Sequence, residues 1–372
     1  MRLALVYDRV NKFGGAERIL LALHEIWPEA PLYTAVYSPQ NAIWASSFKI
    51  IPSFLKKLPF MQEKHELLTP LTPIAFEQFN FDKFDVVISV TSGDAKGIIT
   101  KPATLHICYC LTSTRYLWSG YQDYIAQPGM GALNGIVKLL MKVFFPKLRQ
   151  WDFIASRRPD FYLAISQTVA DRIKTYYKKE AEIIYPPVKI RNFHLRKEKN
   201  TESYYLIVAR LVPYKKIDYA ISAFNKLGWP LKIIGRGIDE YRLKSLAVGN
   251  IEFISGYLTD EQLDWYYQNC RALIYPGEED FGLTAVEAQA CGKAVIAYRK
   301  GGMQEIILEG KTGEFYNTPD ESALISVLKK FVKRDYLPSD CRNNANRFAA
   351  LYFKKKMKKK VEDLWERFRK KR

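Results

Sequence analysis

The stretch that decides the fold lies in the last third of the chain and reads Gly277-Glu278-Glu279-Asp280-Phe281-Gly282-Leu283-Thr284-Ala285-Val286-Glu287. An apolar run of strand length, 272–276, precedes it, and residues 283–290 follow as a predicted helix that ends before a glycine. The predicted order is therefore strand, loop and helix. If Gly282 stands at the helix entrance, the backbone N–H groups of Leu283 and Thr284 face outward at the positive end of the helix dipole, which suits a phosphate.

Two glutamates lie on either side of this predicted helix entrance. Glu279 falls in the loop and Glu287 lies one turn into the helix. The two carboxylates could therefore hold different hydroxyl-bearing parts of one ligand while the helix N-terminus holds phosphates between them. A nucleotide-sugar has these parts in this order. The alternative interpretation is a solvated acidic loop before an ordinary helix.

Length and composition narrow the class of protein. The 372 residues suit two domains of ordinary size, and 48% hydrophobic with 14% aromatic residues exclude a disordered chain. The five cysteines are scattered without ligand spacing, so we expect neither a disulfide framework nor a structural zinc site, and we expect a reducing compartment. The first apolar run is too brief for a signal-peptide core, and no uncharged apolar run is long enough to span a bilayer.

Short apolar segments alternate with helical stretches through both halves of the chain. This alternation predicts an α/β protein with two doubly wound parallel-sheet domains, whose ligands would bind beyond the carboxyl ends of the strands in a cleft between them. We place the linker at 189–200, which is charged and weakly patterned. The predicted domains are 1–190, 201–350 and a basic C-terminal helix, 351–372. The predicted strands are 3–7, 32–36, 86–90, 105–110, 162–165, 205–208, 231–234, 251–254, 272–275 and 294–297.

The spacing of Glu279 and Glu287 resembles the E-x7-E signature of retaining glycosyltransferases of the GT-B fold, family four. In that family the first Glu contacts the donor sugar, the second contacts the ribose, and the amides between them meet the diphosphate. The resemblance implies a catalytic role for Glu279 and donor binding by Gly282, Leu283, Thr284 and Glu287. It also implies two Rossmann-like domains that face each other across a cleft, an acceptor-binding first domain, a nucleotide-sugar-binding second domain, and a last helix that returns to the first domain.

A basic pair follows a predicted strand in the second half of the chain. Arg210 and Lys215 leave the strand end five residues apart, and fixed cations there would stabilise the negative charge of a departing nucleoside diphosphate. The resemblance implies this role for the matching R-x4-K pair, in catalysis and in donor binding. Lys216 is a further candidate, and a solvated basic loop is the alternative.

Two motifs of the first half complete the resemblance. Gly14 and Gly15 follow the first strand and look like the glycine loop that lies beside the donor phosphates; they lack the third glycine of a dinucleotide fingerprint, so we reject a dehydrogenase. The segment around Arg115, Tyr116 and Trp118 resembles one in bacterial polysaccharide mannosyltransferases and makes these residues candidate acceptor contacts. The family often has a histidine where this chain has Leu111, so that role is not transferred.

The expected co-substrate is a nucleotide-sugar, with no other cofactor. Residues 185–188 and 210–215 look like the mannosyltransferase branch, which makes GDP-mannose the first choice and a UDP-hexose the second. No D-x-D motif is present to hold a metal on a diphosphate, so we expect a metal-independent enzyme. Retention of configuration follows only from the resemblance.

The formal net charge of +18 requires an explanation. Residues 354–372 carry eleven Lys or Arg against three acidic residues, and the segments 53–58 and 135–145 combine lysines with apolar side chains. We therefore expect a peripheral enzyme on an anionic membrane surface, at the inner face of the cytoplasmic membrane, with a lipid-linked or polysaccharide acceptor. A nucleic-acid-binding protein or an inactive scaffold is the alternative of another class, but no nucleic-acid-binding module is recognised, so nucleic acid is not expected as a partner. The apolar side chains assigned to the membrane are Phe54, Leu55, Ile136 and Leu140.

Overall fold

The computed structural model describes residues 1–57, 70–126, 134–190, 204–256 and 258–371. It divides into two compact units, one formed by Met1–Pro187 with Leu351–Arg372 and the other by Val188–Ala350. Most of the linker predicted at 189–200 lies outside the described residues. Each unit contains a parallel sheet covered by helices, which confirms the predicted fold class.

The first unit is built on a sheet of seven described strands. All neighbouring strands pair in parallel, and their spatial order is β3-β2-β1-β4-β5-β6-β7. The order changes direction between β1 and β4, which is the position where doubly wound sheets bind ligands. The strands are β1 (Leu3–Val10), β2 (Leu32–Tyr37), β3 (Ile50–Pro52), β4 (Val86–Thr91), β5 (Leu105–Cys110), β6 (Phe161–Ala164) and β7 (Ala181–Ile183).

The second unit has a sheet of six described strands, also parallel, in the order β10-β9-β8-β11-β12-β13. Its direction changes between β8 and β11. Buried strand residues such as Ile207, Ile233 and Ile274 pack in one core with Ile221 and Phe224 of a covering helix, and each fully buried side chain of this size stabilises the fold by roughly 1.5–3 kcal/mol. The strands are β8 (Tyr204–Val208), β9 (Leu231–Ile234), β10 (Ile251–Ile254), β11 (Cys270–Tyr275), β12 (Ala294–Tyr298) and β13 (Gly313–Tyr316).

Helices cover both sheets. Those of the first unit are α1 (Gly15–Ile26), α2 (Thr72–Glu77), α3 (Tyr121–Ala126), α4 (Asn134–Ala155) and α5 (Gln167–Arg172). Those of the second are α6 (Ile217–Leu227), α7 (Glu240–Leu246), α8 (Asp260–Asn269), α9 (Leu283–Ala290), α10 (Met303–Ile306), α11 (Glu321–Phe331) and α12 (Pro338–Asn346). The chain then continues as α13 (Ala350–Lys370). None of the helices that the structure describes has the length and hydropathy needed to cross a bilayer.

Helix α13 packs on the first unit, as predicted for the last helix. Its apolar stripe is buried at Phe353, Met357, Val361 and Leu364. The Phe353 ring lies 6.0 Å from that of Tyr109 on β5, measured between centroids. The stripe is therefore part of the hydrophobic core, while many of the basic residues on the other faces of the helix are exposed.

Sequence patterning missed three strands and misassigned one side chain. The missed strands β3, β7 and β13 have only three or four residues each, too few to show a clear alternation. Leu55 was assigned to a membrane surface, but its side chain is completely buried in a cluster with Ala75 and Phe76. That assignment is wrong because the short turn Phe54–Lys57 directs alternate side chains inward and outward, which leaves Phe54 partly exposed. The side chains of Ile136 and Leu140 lie outside the described residues.

Candidate active site

The loops after β8 and β11 meet at the point where the second sheet changes direction. The two strands are neighbours in parallel, with Leu206 opposite Leu273, so their carboxyl ends lie at the same edge. Open α/β sheets bind ligands in the crevice at such a point, because the flanking loops diverge there. Arg210 and Lys215 follow β8, and Glu279 follows β11.

The loop after β8 is positioned by close backbone contacts. The Leu211 N–H donates to the Arg236 carbonyl oxygen at 2.9 Å, and the Leu211 carbonyl oxygen accepts from the Asp239 N–H at 3.0 Å. A side chain at Gly237 would collide with the Leu211 backbone, which explains a glycine there. The loop ends in a short 3-10 turn, Pro213–Lys215, which turns the lysine side chain inward.

Lys215 is the buried cation of this site. Only 7% of the residue is exposed, and its ammonium group forms an ion pair with a carboxylate oxygen of Glu279. The nitrogen also lies 5.6 Å from the centroids of the Tyr214 and Tyr275 rings. Burial first, and then the negative charge of Glu279, raise the pKa of Tyr275 well above its ordinary value, so this ring stays neutral beside the ion pair.

Arg210 and Lys216 have different surroundings from Lys215. The Arg210 side chain is exposed, and its Nη2 donates to the Tyr214 hydroxyl at 2.8 Å, which holds the guanidinium near the same loop. Lys216 is exposed with a left-handed backbone (φ 55°) directly before α6, and its nitrogen lies 5.8 Å from the Tyr219 ring. Of the two adjacent lysines, the structure therefore brings only Lys215 to Glu279.

The entrance of α9 has the backbone that the sequence predicted. Gly282 stands immediately before Leu283 with φ 111°, a value that favours glycine, and a side chain there would collide with Met303. Gly301, with φ 69°, passes the backbone of Glu279 closely, and the Gly302 N–H donates to the Glu279 carbonyl oxygen at 2.8 Å. Gly282 makes no side-chain cap, so the first amides of α9 donate no hydrogen bond to a side chain of the residue before the helix.

Glu287 is oriented by a residue that sequence reasoning missed. The hydroxyl of Tyr267, on α8, donates to Glu287 Oε2 at 2.9 Å, and the tyrosine is almost completely buried. Helix α8 begins with a capping box, in which the Thr259 side chain accepts from the Gln262 N–H while the Gln262 side chain accepts from the Thr259 N–H. A capping box can be recognised from local sequence. The hydrogen bond of Tyr267 to Glu287 joins two helices, so no local sequence pattern indicates it.

The predicted site residues of the first half all lie in the first unit. Gly14 is the residue before α1, in extended backbone, and Gly15 is the first residue of the helix. Behind them the Tyr7 hydroxyl donates to Glu17 Oε1 at 2.6 Å in the interior. The glycine loop therefore leaves the end of β1, beside the point where the first sheet changes direction.

The loop after β5 carries Arg115, Tyr116 and Trp118. The Tyr116 hydroxyl lies 3.4 Å from Asp94 Oδ1, and the Trp118 indole N–H donates to Asp152 Oδ2 at 2.8 Å. Asp94 is buried in the loop after β4, and this burial raises the pKa of its carboxyl to about 6.

Comparison with known proteins agrees with this architecture. Residues 189–348 match the family described as Glycosyl transferases group 1. An uncharacterized glycosyltransferase of Methanocaldococcus jannaschii is 26% identical over 250 residues, which cover 66% of this chain and 70% of that protein. The alpha-1,3/1,6-mannosyltransferase ALG2 of Dictyostelium discoideum is 44% identical over 61 residues, or 16% of this chain and 14% of that protein.

Among solved structures, HepE of Anabaena in complex with UDP superposes with a TM-score of 0.69 at 14% identity, covering 98% of this chain and 100% of HepE. At this identity the likeness concerns the fold alone, which is that of the GT-B glycosyltransferases. Residues 189–348, most of the second unit, are therefore similar to group 1 glycosyltransferases, and the two doubly wound sheets give the chain the GT-B fold.

Proposed function

We propose that this chain transfers a hexose from a nucleotide-sugar to a lipid-linked or polysaccharide acceptor, with retention of configuration and without a metal ion. The observation that carries the proposal is the ion pair of Lys215 and Glu279 where the second sheet changes direction, beside the entrance of α9. One sheet edge thereby carries a cation for a diphosphate, a carboxylate for sugar hydroxyls and a helix N-terminus for phosphates.

Each of these groups has a role in the proposed reaction. As the bond between the anomeric carbon and the diphosphate breaks, negative charge grows on the leaving oxygen, and Lys215 with Arg210 stabilises it. Glu279 accepts hydrogen bonds from hydroxyls of the reacting sugar, and Glu287 accepts them from the ribose. The acceptor hydroxyl oxygen forms the new bond to the anomeric carbon and gives its proton to the departing diphosphate oxygen, and no side chain serves as a covalent nucleophile.

GDP-mannose is our first choice of donor, and a UDP-hexose is the alternative. The similarity of 61 residues to a mannosyltransferase supports the first, whereas the UDP bound by the structurally similar HepE supports the second. Base recognition commonly uses backbone groups, so both donors are compatible with the residues described above.

A thermal-shift screen across nucleotide-sugars tests the donor. A ligand at hundredfold excess over its Kd stabilises the folded protein by about 2.7 kcal/mol, so the true donor should raise the unfolding temperature more than other sugars on the same nucleotide. EDTA should change neither this shift nor the rate of transfer. Failure of every GDP- and UDP-sugar to stabilise the protein would contradict the proposal, and an absolute requirement for Mg²⁺ or Mn²⁺ would contradict its metal independence.

Tyr267→Phe should weaken nucleotide binding through Glu287. The substitution removes one hydrogen bond to a carboxylate and keeps the ring, so we expect a loss of roughly 1.5–3 kcal/mol, or about tenfold to a hundredfold in Kd. Isothermal titration with GDP and UDP measures this change. The matched control is Tyr266→Phe, on the same helix. If Tyr267→Phe binds nucleotide as tightly as this control, Tyr267 does not position Glu287.

We also propose that the enzyme works at the inner face of the cytoplasmic membrane as a peripheral protein. Support comes from the net charge of +18 and from exposed basic residues of α13, whose apolar stripe is buried. Lysines near an anionic surface contribute about 1 kcal/mol each to such binding. Phe54 and Lys56 remain exposed in the 53–58 segment and are available for this contact.

A further inference from the structure

A cavity of about 360 Å³ opens in the first unit beside α4. Its volume falls in the range of small-molecule sites, roughly 300–1,000 Å³. Aromatic rings, a proline, one guanidinium and one amide form the walls, and none of the described lining residues is acidic. The lining residues are Trp118, Tyr121, Pro146, Arg149, Gln150 and Phe153.

The Trp118 ring is held in place before any ligand arrives. Its indole N–H donates to Asp152 Oδ2 at 2.8 Å, and the ring stacks on Tyr176 with 5.1 Å between centroids. Asp152 is completely buried and also accepts from the Lys96 ammonium at 2.5 Å and from the Thr114 hydroxyl at 2.6 Å. Breaking a buried ion pair is strongly destabilising, because it leaves an uncompensated charge in the interior, so this network holds the wall of the cavity in place.

Arg149 supplies the charge of the cavity. Its guanidinium lies over the rings of Trp118 and Tyr121, 5.3 and 4.6 Å from their centroids, and its Nε donates to the Leu117 carbonyl oxygen at 2.9 Å. Among the described residues, its two terminal nitrogens have no hydrogen-bond or ion-pair partner. A stacked guanidinium with this forked pair of donors is suited to a phosphate or a carboxylate.

An exposed apolar stripe continues from the cavity along α4. Leu139 and Val143 are 65% and 55% exposed and lie on the same helix face as Pro146 and Gln150, at spacings of four, three and four residues. Ile154, four residues further, extends this face. Large exposed apolar side chains in a row beside a cationic cavity indicate an amphipathic ligand.

We propose that this cavity binds the phosphate of a lipid-linked acceptor, with Arg149 on the phosphate, the aromatic rings on the adjoining sugar, and the apolar chain along the stripe of α4. The inference rests on the proposed function, since it names the acceptor of that transfer. The charge of the lining decides for an anionic occupant, because Arg149 is the one charged side chain among the described lining residues.

Vesicle flotation with charge variants of Gln150 tests the proposal without disturbing the buried network. The probe is a polyprenyl monophosphate in phosphatidylcholine vesicles, with uncharged polyprenol as the blank. Gln150 is exposed, so Gln150→Glu and Gln150→Lys should both fold. Gln150→Glu should weaken binding about fivefold and Gln150→Lys should strengthen it about fivefold, the factor for unit charges about 4 Å apart in water.

Two further variants separate the cavity from general surface charge. Arg149→Gln should weaken binding of the same probe about tenfold or more, because a charge-assisted pair is lost, and its unfolding temperature shows whether it remains folded. The matched control Lys147→Gln removes the same charge from an exposed position outside the lining and should bind the probe nearly as well as the unaltered protein.

Equal losses in Arg149→Gln and Lys147→Gln, or equal binding of Gln150→Glu and Gln150→Lys, would overturn the cavity assignment. A last comparison uses phosphatidylglycerol vesicles with the same surface charge. If the protein binds these vesicles as tightly as the polyprenyl phosphate vesicles, its surface recognises membrane charge and not an acceptor. The measurement contains no nucleotide-sugar, so it reports on the cavity even if transfer fails. Donor turnover by the unaltered protein reports separately on the proposed function.

Discussion

Lys215→Ala is expected to slow glycosyl transfer by about 10²- to 10³-fold at saturating donor, because loss of one donor that stabilises transition-state charge typically costs about 2.7–4 kcal/mol. The structure supports a large effect, since Lys215 is nearly buried and bound to Glu279, where water cannot replace its charge. Arg210→Ala should act in the same direction. Its effect should be smaller, because the Arg210 side chain is exposed.

The adjacent lysine provides the matched control for this prediction. Lys216→Ala removes the same charge one residue away, but from an exposed side chain whose nitrogen lies over the Tyr219 ring. Its kcat should stay within a few-fold of the unaltered enzyme. Steady-state kinetics with donor and acceptor both saturating makes the comparison. Equal losses of kcat in the two variants would mean that general charge in this loop matters and that the ion pair does not.

Glu279→Gln is expected to lower kcat by about tenfold to a hundredfold, whereas Glu287→Ala should mainly weaken nucleotide binding by a similar factor. Hydrogen bonds to a charged group are worth about 1.5–3 kcal/mol, and the two glutamates are proposed to use this energy differently. Glu279 would hold the sugar whose bonds change, so its contribution rises in the transition state. Glu287 would hold the ribose, which is the same in ground and transition states.

For each variant, kcat and the Kd for GDP or UDP are measured, which shows whether the loss falls on turnover or on nucleotide binding. Glu278→Gln is the matched control, because this neighbouring acid pairs with Lys300 at 3.1 Å, whereas Glu279 pairs with Lys215. Similar losses of nucleotide affinity in Glu279→Gln and Glu287→Ala, with kcat at saturation unchanged in both, would remove the assigned roles.

Local sequence predicted most of the framework. Ten strands were predicted from apolar runs, and each overlaps an observed strand, because a strand buried on both faces must be apolar along its length. The entrance of α9 at Gly282 was predicted for a similar reason, since a glycine between a strand and an apolar helix marks a backbone turn that other residues rarely adopt. The buried stripe of α13 followed from its helical spacing.

Pattern alone was insufficient where neighbouring residues have similar chemistry. Lys215 and Lys216 both suited a diphosphate, and the 3-10 turn at Pro213–Lys215 followed by a left-handed residue decides which of them is buried. Leu55 looked like a membrane contact and is core, because it lies in a cluster with residues of β1, β2, β4 and α2 that are distant in the sequence.

By itself the sequence determined the two-sheet α/β fold and the candidate donor-site residues, because strand periodicity, glycine turns and fixed spacings are local properties of the chain. Only the tertiary structure decided that Lys215 pairs with Glu279 and that Tyr267 orients Glu287. It also decided that Trp118 and Arg149 line one cavity beside α4. These pairs are separated by 64, 20 and 31 residues, and side chains so far apart meet only when the sheets and helices between them have packed.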